Sequence, residues 1–323
     1  MDKKLITIPT TFKNCYTDED KRIVIDAINF LNSINKSIAY IHRLCNIPKG
    51  TLSRLLAGSY ISPPNKHLIK IAQAIARAKD KNKNQDIAFV KTSVYQLTKS
   101  ICDRSRKYAN FGLLSGYVGI GKTFSLKQYK KENANTIIIE ANPDMTPGAL
   151  LNEMLVAANA VAERKNPNAN EKITAVINQL KGSDTLLIID EAETIQPRTL
   201  HYLRRIRDKA GIGIVLSGTE YLLGLIKPAH GQFDQIRSRT PFIPETVKAI
   251  SIDDAKALIK SGLGSEDKKI INRLWRYSQG SARMLAEGLI PAIIDFGLNR
   301  GHKLTEQLID SVAVKALGLK LVK

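Results

Sequence analysis

The stretch Gly116-Tyr-Val-Gly-Ile-Gly-Lys-Thr123 decides the fold of this 323-residue chain. It matches the pattern G-x-x-x-x-G-K-[ST], in which a glycine-rich turn directs backbone N–H groups at the phosphates of a nucleotide. An apolar run at Phe111–Ser115 precedes the stretch and a helical pattern follows it, which is the context that the motif requires. We therefore predict a site for ATP. Its expected nucleotide contacts are Gly116, Gly119, Ile120, Gly121, Lys122, Thr123 and Phe124.

A second element is an apolar strand that ends in two acids, Leu186-Leu-Ile-Ile-Asp190-Glu191. Ligands of open α/β sheets bind beyond the carboxyl ends of the strands. We expect Asp190 and Thr123 to hold Mg²⁺, and Glu191 to act as the general base that activates water. Taken alone, such a strand end is an ordinary acidic cap. The phosphate-binding loop about seventy residues earlier favours the catalytic interpretation.

The pattern around these elements predicts an α/β fold with a parallel sheet and helices on both faces. A helix is expected from about Thr92 to Ala109. From about Ser251 onward the pattern is wholly helical, which predicts a C-terminal helical lid. The predicted strands are Phe111–Ser115, Thr136–Ala141, Thr185–Asp190, Ile212–Thr219 and about Pro241–Val247.

Several polar positions are weaker candidates for the same site. Thr219 ends a predicted buried strand, where its hydroxyl would reach the γ-phosphate or the attacking water; capping of the next helix is an equally good interpretation. Arg239, or its neighbour Arg237, is placed to act on the nucleotide of an adjacent subunit, and Arg283 begins a lid helix near the phosphates. Each arginine is otherwise a surface charge, although arginine is well suited to clamping phosphate.

The segment Ile41–Gly58 has the pattern of a helix-turn-helix and resembles the phage-repressor class, except that His42 stands where that class favours a small residue. Asn46 is expected to adopt a left-handed turn and Pro48 to open the second helix. The start of that helix would meet base edges. A helical protein-interaction module is the alternative. The first helix is expected to bury Ile41, Leu44 and Cys45. The expected DNA contacts are Lys49, Thr51, Ser53 and Arg54.

Further helical patterns run from Asp18 to Asn35 and from about Lys66 to Lys79. The run Lys79–Gln85 is charged and polar, and we predict that it is a linker. The predicted domains are an N-terminal helix-turn-helix domain with its linker at 1–85, an α/β ATPase core at 86–250 and the lid at 251–323.

The charge balance indicates a polyanionic partner. Lys and Arg number 49 against 30 Asp and Glu, which gives a net charge of +19. Between Lys36 and Asn84 there are 10 basic residues and one acid, Asp80, a local net charge of +9. Such an excess attracts nucleic acid through Coulomb forces and counterion release, so we expect double-stranded DNA as a partner. A basic protein without such a partner is the alternative.

Other features argue against several classes of protein. Cys15, Cys45 and Cys102 have no CxxC spacing, which favours reduced thiols over a disulfide framework or a zinc site. The apolar runs are far shorter than the roughly 18 residues of a membrane span. The N-terminus lacks a secretory apolar core. We therefore expect a cytoplasmic protein, in a bacterium or a phage-infected host.

Taken in order, the motifs between about residues 92 and 320 resemble those of AAA+ ATPases. On that pattern the loop at 116–123 is Walker A and the acidic strand is Walker B. Thr219 would be sensor 1, Arg239 the arginine finger and Arg283 sensor 2. Sensor 1 is often Asn in this superfamily, so Thr219 departs from the usual residue. The Ser238-Arg239 pair favours Arg239 over Arg237 as the finger.

A repressor-like helix-turn-helix joined to a compact AAA+ module is similar to the phage Mu B-like transposition proteins. The shared segments are GTLSRLLAG at 50–58, GYVGIGKT at 116–123, LLIIDEAE at 186–193 and GIGIVLSGT at 211–219. The resemblance implies an ATP-dependent protein that forms helical filaments on DNA largely without reading sequence. It also implies a transposase partner that receives the DNA and stimulates the ATPase.

The same resemblance implies that the segment after the second strand, Asn142 to Thr146, faces DNA, with Thr146 as a candidate contact. Arg164 and Lys165, on a neighbouring insertion, are further candidate contacts. Two other functions remain open on the sequence. One is a sequence-specific DNA-binding regulator whose ATPase switches its oligomeric state. The other is a loader of a replicative helicase.

Overall fold

The computed structural model describes residues 5–84, 89–226 and 237–322. The chain divides into two compact units, Met1–Asp86 and Ile87–Lys323. Within the described residues, no helix combines the length and the apolar character needed to cross a bilayer. Cys15, Cys45 and Cys102 are free thiols.

The N-terminal unit consists of helices packed around an apolar core. Helix α1 begins at a capping box, in which the Thr17 hydroxyl accepts from the N–H of Asp20 and the Asp20 carboxylate accepts from the N–H of Thr17. The helices are α1 (Asp18–Ser33), α2 (Ile38–Cys45), α3 (Lys49–Leu56) and α4 (Asn65–Asn84). Each contributes buried side chains to the core, among them Ile28, Leu31, Ile41, Leu55 and Ile71.

Helix α4 extends further than the sequence predicted. It continues to Asn84, so residues 79–84 of the predicted linker are helical, while Gln85 lies outside the described residues. Lysine is a good helix former, and the segment contains neither glycine nor proline. Polarity and charge alone therefore do not end the helix.

The turn between α2 and α3 has the predicted backbone conformation. Asn46 is left-handed, with a φ of 53°, and its N–H donates to the His42 carbonyl at 2.8 Å. The Nδ1 atom of His42 lies 2.7 Å from the Ile47 carbonyl oxygen. His42, unusual for a repressor-like motif, therefore helps to close the turn.

The helices on either side of this turn differ in how well the sequence predicted them. Pro48 is the N-cap of α3, as predicted. Leu44 was expected to be buried but is 39 % exposed. The reason is that α2 is only eight residues long and directs one fully buried side chain, Ile41, into the core. The buried face of α2 is therefore narrower than predicted.

The larger unit is built on a parallel sheet. Among the described residues the sheet has four strands, β1 (Phe111–Ser115), β2 (Thr136–Glu140), β3 (Leu186–Asp190) and β4 (Gly213–Gly218), in the order β1-β4-β3-β2. The accompanying helices are α5 (Ser93–Tyr108), α6 (Lys122–Glu132), α7 (Pro147–Ala157), α8 (Ala169–Leu180), α9 (Pro197–Ala210) and α10 (Tyr221–Ile226). Because the strands are parallel, their carboxyl ends meet at one edge, where a ligand site is expected.

Helices cover both faces of this sheet, as predicted. Leu187 and Ile189 pack into a core formed with α7, α8 and α9. Leu186 and Ile188, on the opposite face of the same strand, pack into a core formed with α5 and α6. Burial on both faces explains why these strands are continuously apolar rather than alternating.

The predicted fifth strand, Pro241–Val247, is not a strand. Phe242 forms an isolated bridge with Gly112 in β1, and Val247 forms one with Gly116, directly after β1. Proline has no N–H to donate, so Pro241 and Pro244 interrupt a continuous ladder of hydrogen bonds. The segment therefore lies beside β1 without extending the sheet.

The C-terminal part is a helical lid, as predicted. Asp254 fastens it to the start of α5, because its carboxylate accepts from both the N–H and the hydroxyl of Ser93 at 2.6 Å. Burial raises the pKa of Asp254, but these hydrogen bonds outweigh burial and hold the pKa below its ordinary value. The lid has its own apolar core and comprises α11 (Ile252–Leu263), α12 (Lys268–Ser278), a π-helix (Met284–Leu289), α13 (Ile290–Phe296) and α14 (Glu306–Lys315).

Candidate nucleotide-binding site

The predicted phosphate-binding loop runs from the end of β1 to the start of α6. Gly119 and Gly121 have φ values of +82° and +100°, a conformation that residues with a Cβ rarely adopt. The Tyr117 N–H donates to the Val247 carbonyl at 2.8 Å, which fixes the first turn of the loop. The glycines therefore serve the backbone shape that a cradle of N–H groups needs.

Lys122, the first residue of α6, is only 7 % exposed. Its ammonium group donates to the carbonyls of Gly116 at 2.7 Å and Tyr117 at 3.1 Å. Burial lowers the pKa of Lys122 below its ordinary value, and the carboxylates of Glu191 and Asp190 offset part of this effect. A lysine held within the loop in this way can supply a point charge to phosphate oxygens.

Thr123 and Asp190 are brought together although they are 67 residues apart in the chain. The Thr123 hydroxyl donates to Asp190 Oδ2 at 2.7 Å, and the Ser217 hydroxyl donates to Asp190 Oδ1 at 2.8 Å. Ser217 was not among the residues predicted from the sequence. Its place at the carboxyl end of a buried strand was the signal that could have identified it.

Glu191 follows β3 in a left-handed conformation, with a φ of 53°. This conformation is uncommon for residues other than glycine and occurs where the surrounding structure enforces it. Burial raises the pKa of the Glu191 carboxyl above its ordinary value, and the negative charges of Glu193 and Asp190 raise it further. A carboxylate whose pKa is raised is a better proton acceptor than an ordinary glutamate, as a general base requires.

Thr219 lies directly after β4, at the same edge of the sheet. Its N–H donates to Glu193 Oε1 at 3.0 Å, and its carbonyl accepts from the Ser115 hydroxyl at 3.2 Å. Its own hydroxyl oxygen is buried and has no hydrogen-bond partner among the described residues. The side chain therefore makes no helix-capping hydrogen bond, and Glu193 is a further residue of this edge that the sequence did not single out.

The lid touches the loop at Gly119. The Arg283 N–H donates to the Gly119 carbonyl at 2.8 Å, and the Ser281 hydroxyl donates to the same carbonyl at 3.4 Å. The Arg283 side chain is 62 % exposed, and its Nε lies 3.9 Å from a carboxylate oxygen of Glu287. The structure thus places the backbone of Arg283 at the loop. Ser281, which the sequence did not indicate, provides the side-chain contact.

Ile120 and Phe124 support the loop in different ways. Ile120 is buried and packs with the apolar core of the lid. Phe124, on α6, is 59 % exposed, and its ring stacks on that of Phe89 with 6.0 Å between centroids. Ile120 therefore acts through packing, whereas Phe124 presents an aromatic surface beside the loop.

Residues 104–226 match the AAA domain family. Among solved structures, the Aeropyrum pernix ORC2 protein, in complexes with ADPNP and ADP, has a similar fold. It gives a TM-score of 0.51 at 17 % identity, covering 71 % of this chain and 68 % of that one. The chain has the AAA+ fold. Together with the geometry above, these matches support an ATPase.

Two curated relatives of the chain carry names from DNA transposition. The Mu-like prophage FluMu DNA transposition protein B of Haemophilus influenzae is 29 % identical over 120 residues, which cover 36 % of this chain and 41 % of that protein. The ATP-dependent target DNA activator B of Escherichia phage Mu is 30 % identical over 112 residues, covering 34 % of this chain and 35 % of that protein. The matches span about two fifths or less of each relative. They support the resemblance to Mu B-like proteins that the motifs indicated.

Arg239, the candidate arginine finger, lies beside the amino-terminal end of β1, at the opposite end of the strand from the nucleotide site. Its carbonyl accepts from the N–H of Phe111, the first residue of β1, at 3.0 Å. Five strand residues, at about 3.3 Å each, separate that point from Gly116, a distance longer than an arginine side chain. Arg239 Nε donates to Asp208 at 3.0 Å. Arg239 therefore lies far from the nucleotide site of its own chain, and Arg237 is exposed nearby.

The candidate DNA contacts of the N-terminal unit lie on an accessible helix face. On α3, Lys49, Ser53 and Arg54 are exposed and Thr51 is partly exposed. This face is polar and basic, as a recognition helix requires. The opposite face is buried through Leu52, Leu55 and Leu56.

The other DNA candidates lie before and after α7 in the chain. The Thr146 hydroxyl accepts from the N–H of Ala149 at 3.2 Å and caps the helix. Arg164 and Lys165 are exposed in the loop after α7, whose 11 residues span about 16 Å. Arg164 pairs with Glu171 at 3.2 Å.

Proposed function

We propose that the chain is an ATP-dependent, largely sequence-nonspecific DNA-binding ATPase that forms helical filaments on target DNA and delivers that DNA to a transposase. The observation that carries the proposal is the group formed by Lys122, Thr123 and Asp190 in an AAA domain whose relatives are named for DNA transposition and target DNA activation. Such a protein would act in the cytoplasm of a bacterial or phage-infected cell.

The oxygen atoms of Thr123 and Asp190 fit a Mg²⁺ ion that accompanies ATP. They lie 2.7 Å apart, and Ser217 fixes the other oxygen of the carboxylate. Hydroxyl and carboxylate oxygens are the donors that Mg²⁺ prefers. When bound, the ion neutralises part of the charge on the phosphates. Lys122 and the N–H groups of the loop add positive charge on the same side.

Hydrolysis would use Glu191 as the base. It would accept a proton from water while the water oxygen bonds to the γ-phosphorus and the bond from phosphorus to the bridging oxygen of ADP breaks. The raised pKa of Glu191 suits this transfer. The Thr219 hydroxyl, buried at the same edge, would contact the γ-phosphate or the water.

The position of Arg239 supports a site completed by a neighbouring subunit. Arg239 lies too far from its own loop to touch that nucleotide. Its backbone is fixed by β1, and the Ser238-Arg239 pair favours it over Arg237 as the finger. An arginine that stabilises phosphate charge across an interface lets ATP contact two subunits at once, and so strengthens their association. ATP would therefore favour assembly.

The lid would respond to the same nucleotide. The Arg283 backbone is bonded to Gly119 and its side chain is exposed, so it has the freedom to fold onto the phosphates. A shift of the loop would pass directly to the lid through this contact. We assign Arg283 the role of the lid arginine.

DNA binding is assigned to basic surfaces. The helix-turn-helix presents its basic face on α3, and the segment around it carries a net charge of +9. In the larger unit, the assigned positions are Thr146, Arg164 and Lys165. Contacts of lysine and arginine with phosphate do not depend on sequence, which suits a protein that must accept many targets.

Electron microscopy with random-sequence duplex DNA tests the proposal. With a non-hydrolysable ATP analogue we expect continuous filaments on the DNA, and we expect none without nucleotide. Protection of a single site in a footprint, without filaments, would favour a sequence-specific regulator instead.

A matched pair of variants shows whether the nucleotide site controls this assembly. Lys122→Ala removes the buried charge of the loop and should abolish filaments. Lys127→Ala, an exposed lysine of the same helix, should leave them intact. Addition of the cognate transposase should then increase ATP turnover by the wild-type filament but not by Lys122→Ala.

A further inference from the structure

The carboxylate of Glu193 joins two parts of the nucleotide edge of the sheet. Glu193 lies in the 3₁₀ turn Ala192–Thr194, which begins directly after Glu191. Its Oε1 accepts from the N–H of Thr219, directly after β4, at 3.0 Å. A single side chain therefore connects the turn that carries the proposed base with the residue that follows the neighbouring strand.

Thr219 is held at both of its backbone polar groups. Glu193 takes its N–H, and the Ser115 hydroxyl, at the end of β1, donates to its carbonyl at 3.2 Å. The hydroxyl of Thr219 and the Oε2 atom of Glu193 are both buried and have no hydrogen-bond partner among the described residues. Buried polar atoms are normally paired, so two unpaired ones at the edge of a site indicate a functional constraint.

Gly218 leaves the space that the Glu193 carboxylate occupies. A Cβ at this position would clash with Glu193 Oε2 and would lie 3.3 Å from the Cβ of Leu222. The φ of Gly218 is not in the left-handed region. Space for the carboxylate, rather than backbone conformation, therefore requires glycine here.

We propose that Glu193 is a positioning residue for ATP hydrolysis, which sets the placement of the Thr219 hydroxyl relative to Glu191 by binding the Thr219 N–H. This inference rests on the proposed ATPase function. The hydrogen bond from the Thr219 N–H engages Oε1 of Glu193, which gives this carboxylate a role in holding Thr219 that Glu191 does not have. The geometry assigns Glu193 the role of aligning the Thr219 hydroxyl with Glu191. Displacements of reacting groups near 1 Å are enough to cost about 100-fold in rate.

Steady-state ATPase kinetics of the full chain test this role. Glu193→Ala should lower kcat about 100-fold and leave KM for ATP unchanged, because the loop and Lys122 hold the phosphates without Glu193. Glu193→Gln keeps an acceptor oxygen for the Thr219 N–H, so it should restore most of kcat. A split between kcat and KM, with rescue by glutamine, is not expected of a side chain that only supports the fold.

Gly218→Ala provides a second route to the same defect with Glu193 in place. The added methyl group should displace the carboxylate and lower kcat as Glu193→Ala does. In the double variant the clash is absent, so the loss should equal that of Glu193→Ala alone rather than the sum of both. Gly224→Ala, in α10, is the matched control, because a Cβ there meets no atom of the described residues within 4 Å and should not change kcat.

The outcomes separate this inference from the function on which it rests. A wild-type chain that does not hydrolyse ATP overturns both. An active wild type with an equally active Glu193→Ala overturns the inference alone. So does equal inactivity of Glu193→Ala and Glu193→Gln, additive losses in the double variant, or loss of binding of a fluorescent ATP analogue by Glu193→Ala.

Discussion

The two units of the chain present their charged residues in opposite ways. In the ATPase unit, Lys122 and Asp190 of the assigned site are buried, at 7 % and 1 % exposure, and both are held by hydrogen bonds. In the N-terminal unit, Lys49 and Arg54 stand exposed on α3. A site that performs chemistry on phosphate needs preorganised geometry, which burial and hydrogen bonds provide. A surface that follows a DNA backbone needs accessible charge.

This difference determines how each unit should respond to substitution. In the buried site, each group depends on the position of its neighbours, so one change should remove a whole function. On the exposed face, each charge acts almost independently, so changes should be graded and sensitive to salt. Substitutions in the buried site should therefore have larger effects than substitutions on the exposed face.

The largest effect is expected for Glu191→Gln. A general base contributes about 10²- to 10⁴-fold to a rate, so turnover should fall by that factor while ATP binding remains. Phosphate release and binding of a fluorescent ATP analogue measure the two properties separately. Glu153→Gln, an exposed glutamate on α7, is the control. Undiminished hydrolysis in Glu191→Gln would show that another group is the base.

Arg239→Ala should give the next largest effect, a loss of about 10³-fold in the ATPase rate of the assembled protein. Binding of ATP to the dilute, unassembled chain should not change, because Arg239 lies far from its own site. The dependence of the ATPase rate on protein concentration measures the difference. If the dilute chain also loses ATP affinity, Arg239 acts within its own subunit and our assignment is wrong.

A smaller effect is expected when the contact between loop and lid is disturbed. Gly119→Ala forces a side chain into a left-handed conformation, at a cost of about 1–2 kcal/mol, and places its Cβ 2.5 Å from the Ser281 hydroxyl oxygen. Gly182→Ala has similar backbone strain, with a φ of +74°, and in the part of the chain that the structure describes its Cβ meets nothing within 4 Å. Denaturant unfolding should show a greater loss for Gly119→Ala, and only this variant should lose ATPase activity. Equal behaviour of the pair would argue against a role for the contact.

The smallest effects should come from the exposed face of α3. Lys49→Ala and Arg54→Ala should each reduce the slope of log affinity against log salt by about 0.9, and by the same amount for every DNA sequence. Fluorescence anisotropy with several duplexes measures this. Arg22→Ala, exposed on α1, should leave the slope unchanged. A loss confined to one duplex would instead indicate that α3 reads bases.

The fold of the ATPase unit could be predicted from sequence because its signals are local. A buried parallel strand is a short apolar run, and the glycines at 116–121 announce a sharp turn before a helix. Two errors came from the same reliance on local signals. The run Pro241–Val247 is apolar enough for a strand, but Pro241 and Pro244 have no N–H to donate and interrupt the ladder. The run 79–84 is polar enough for a linker but contains nothing that ends a helix.

Only part of the candidate site could be predicted from sequence, again because only local signals can be recognised. Motif residues such as Thr123 and Asp190 are recognisable one strand at a time. Ser217, Glu193 and Ser281 matter through the residues they meet across the sheet or from the lid, and such pairings appear only once the chain is folded. No pattern in the sequence shows that a glycine at 218 leaves room for a carboxylate at 193.

We propose that Arg239 of one subunit completes the ATP site of its neighbour, so that ATP controls assembly on DNA. This arrangement can be tested by mixing two inactive variants. Glu191→Gln has no base but an intact finger, and Arg239→Ala has an intact base but no finger. Equal amounts of the two on DNA should hydrolyse ATP faster than the sum of the separate variants, because mixed neighbours contain complete sites. A mixture no more active than that sum would contradict the account.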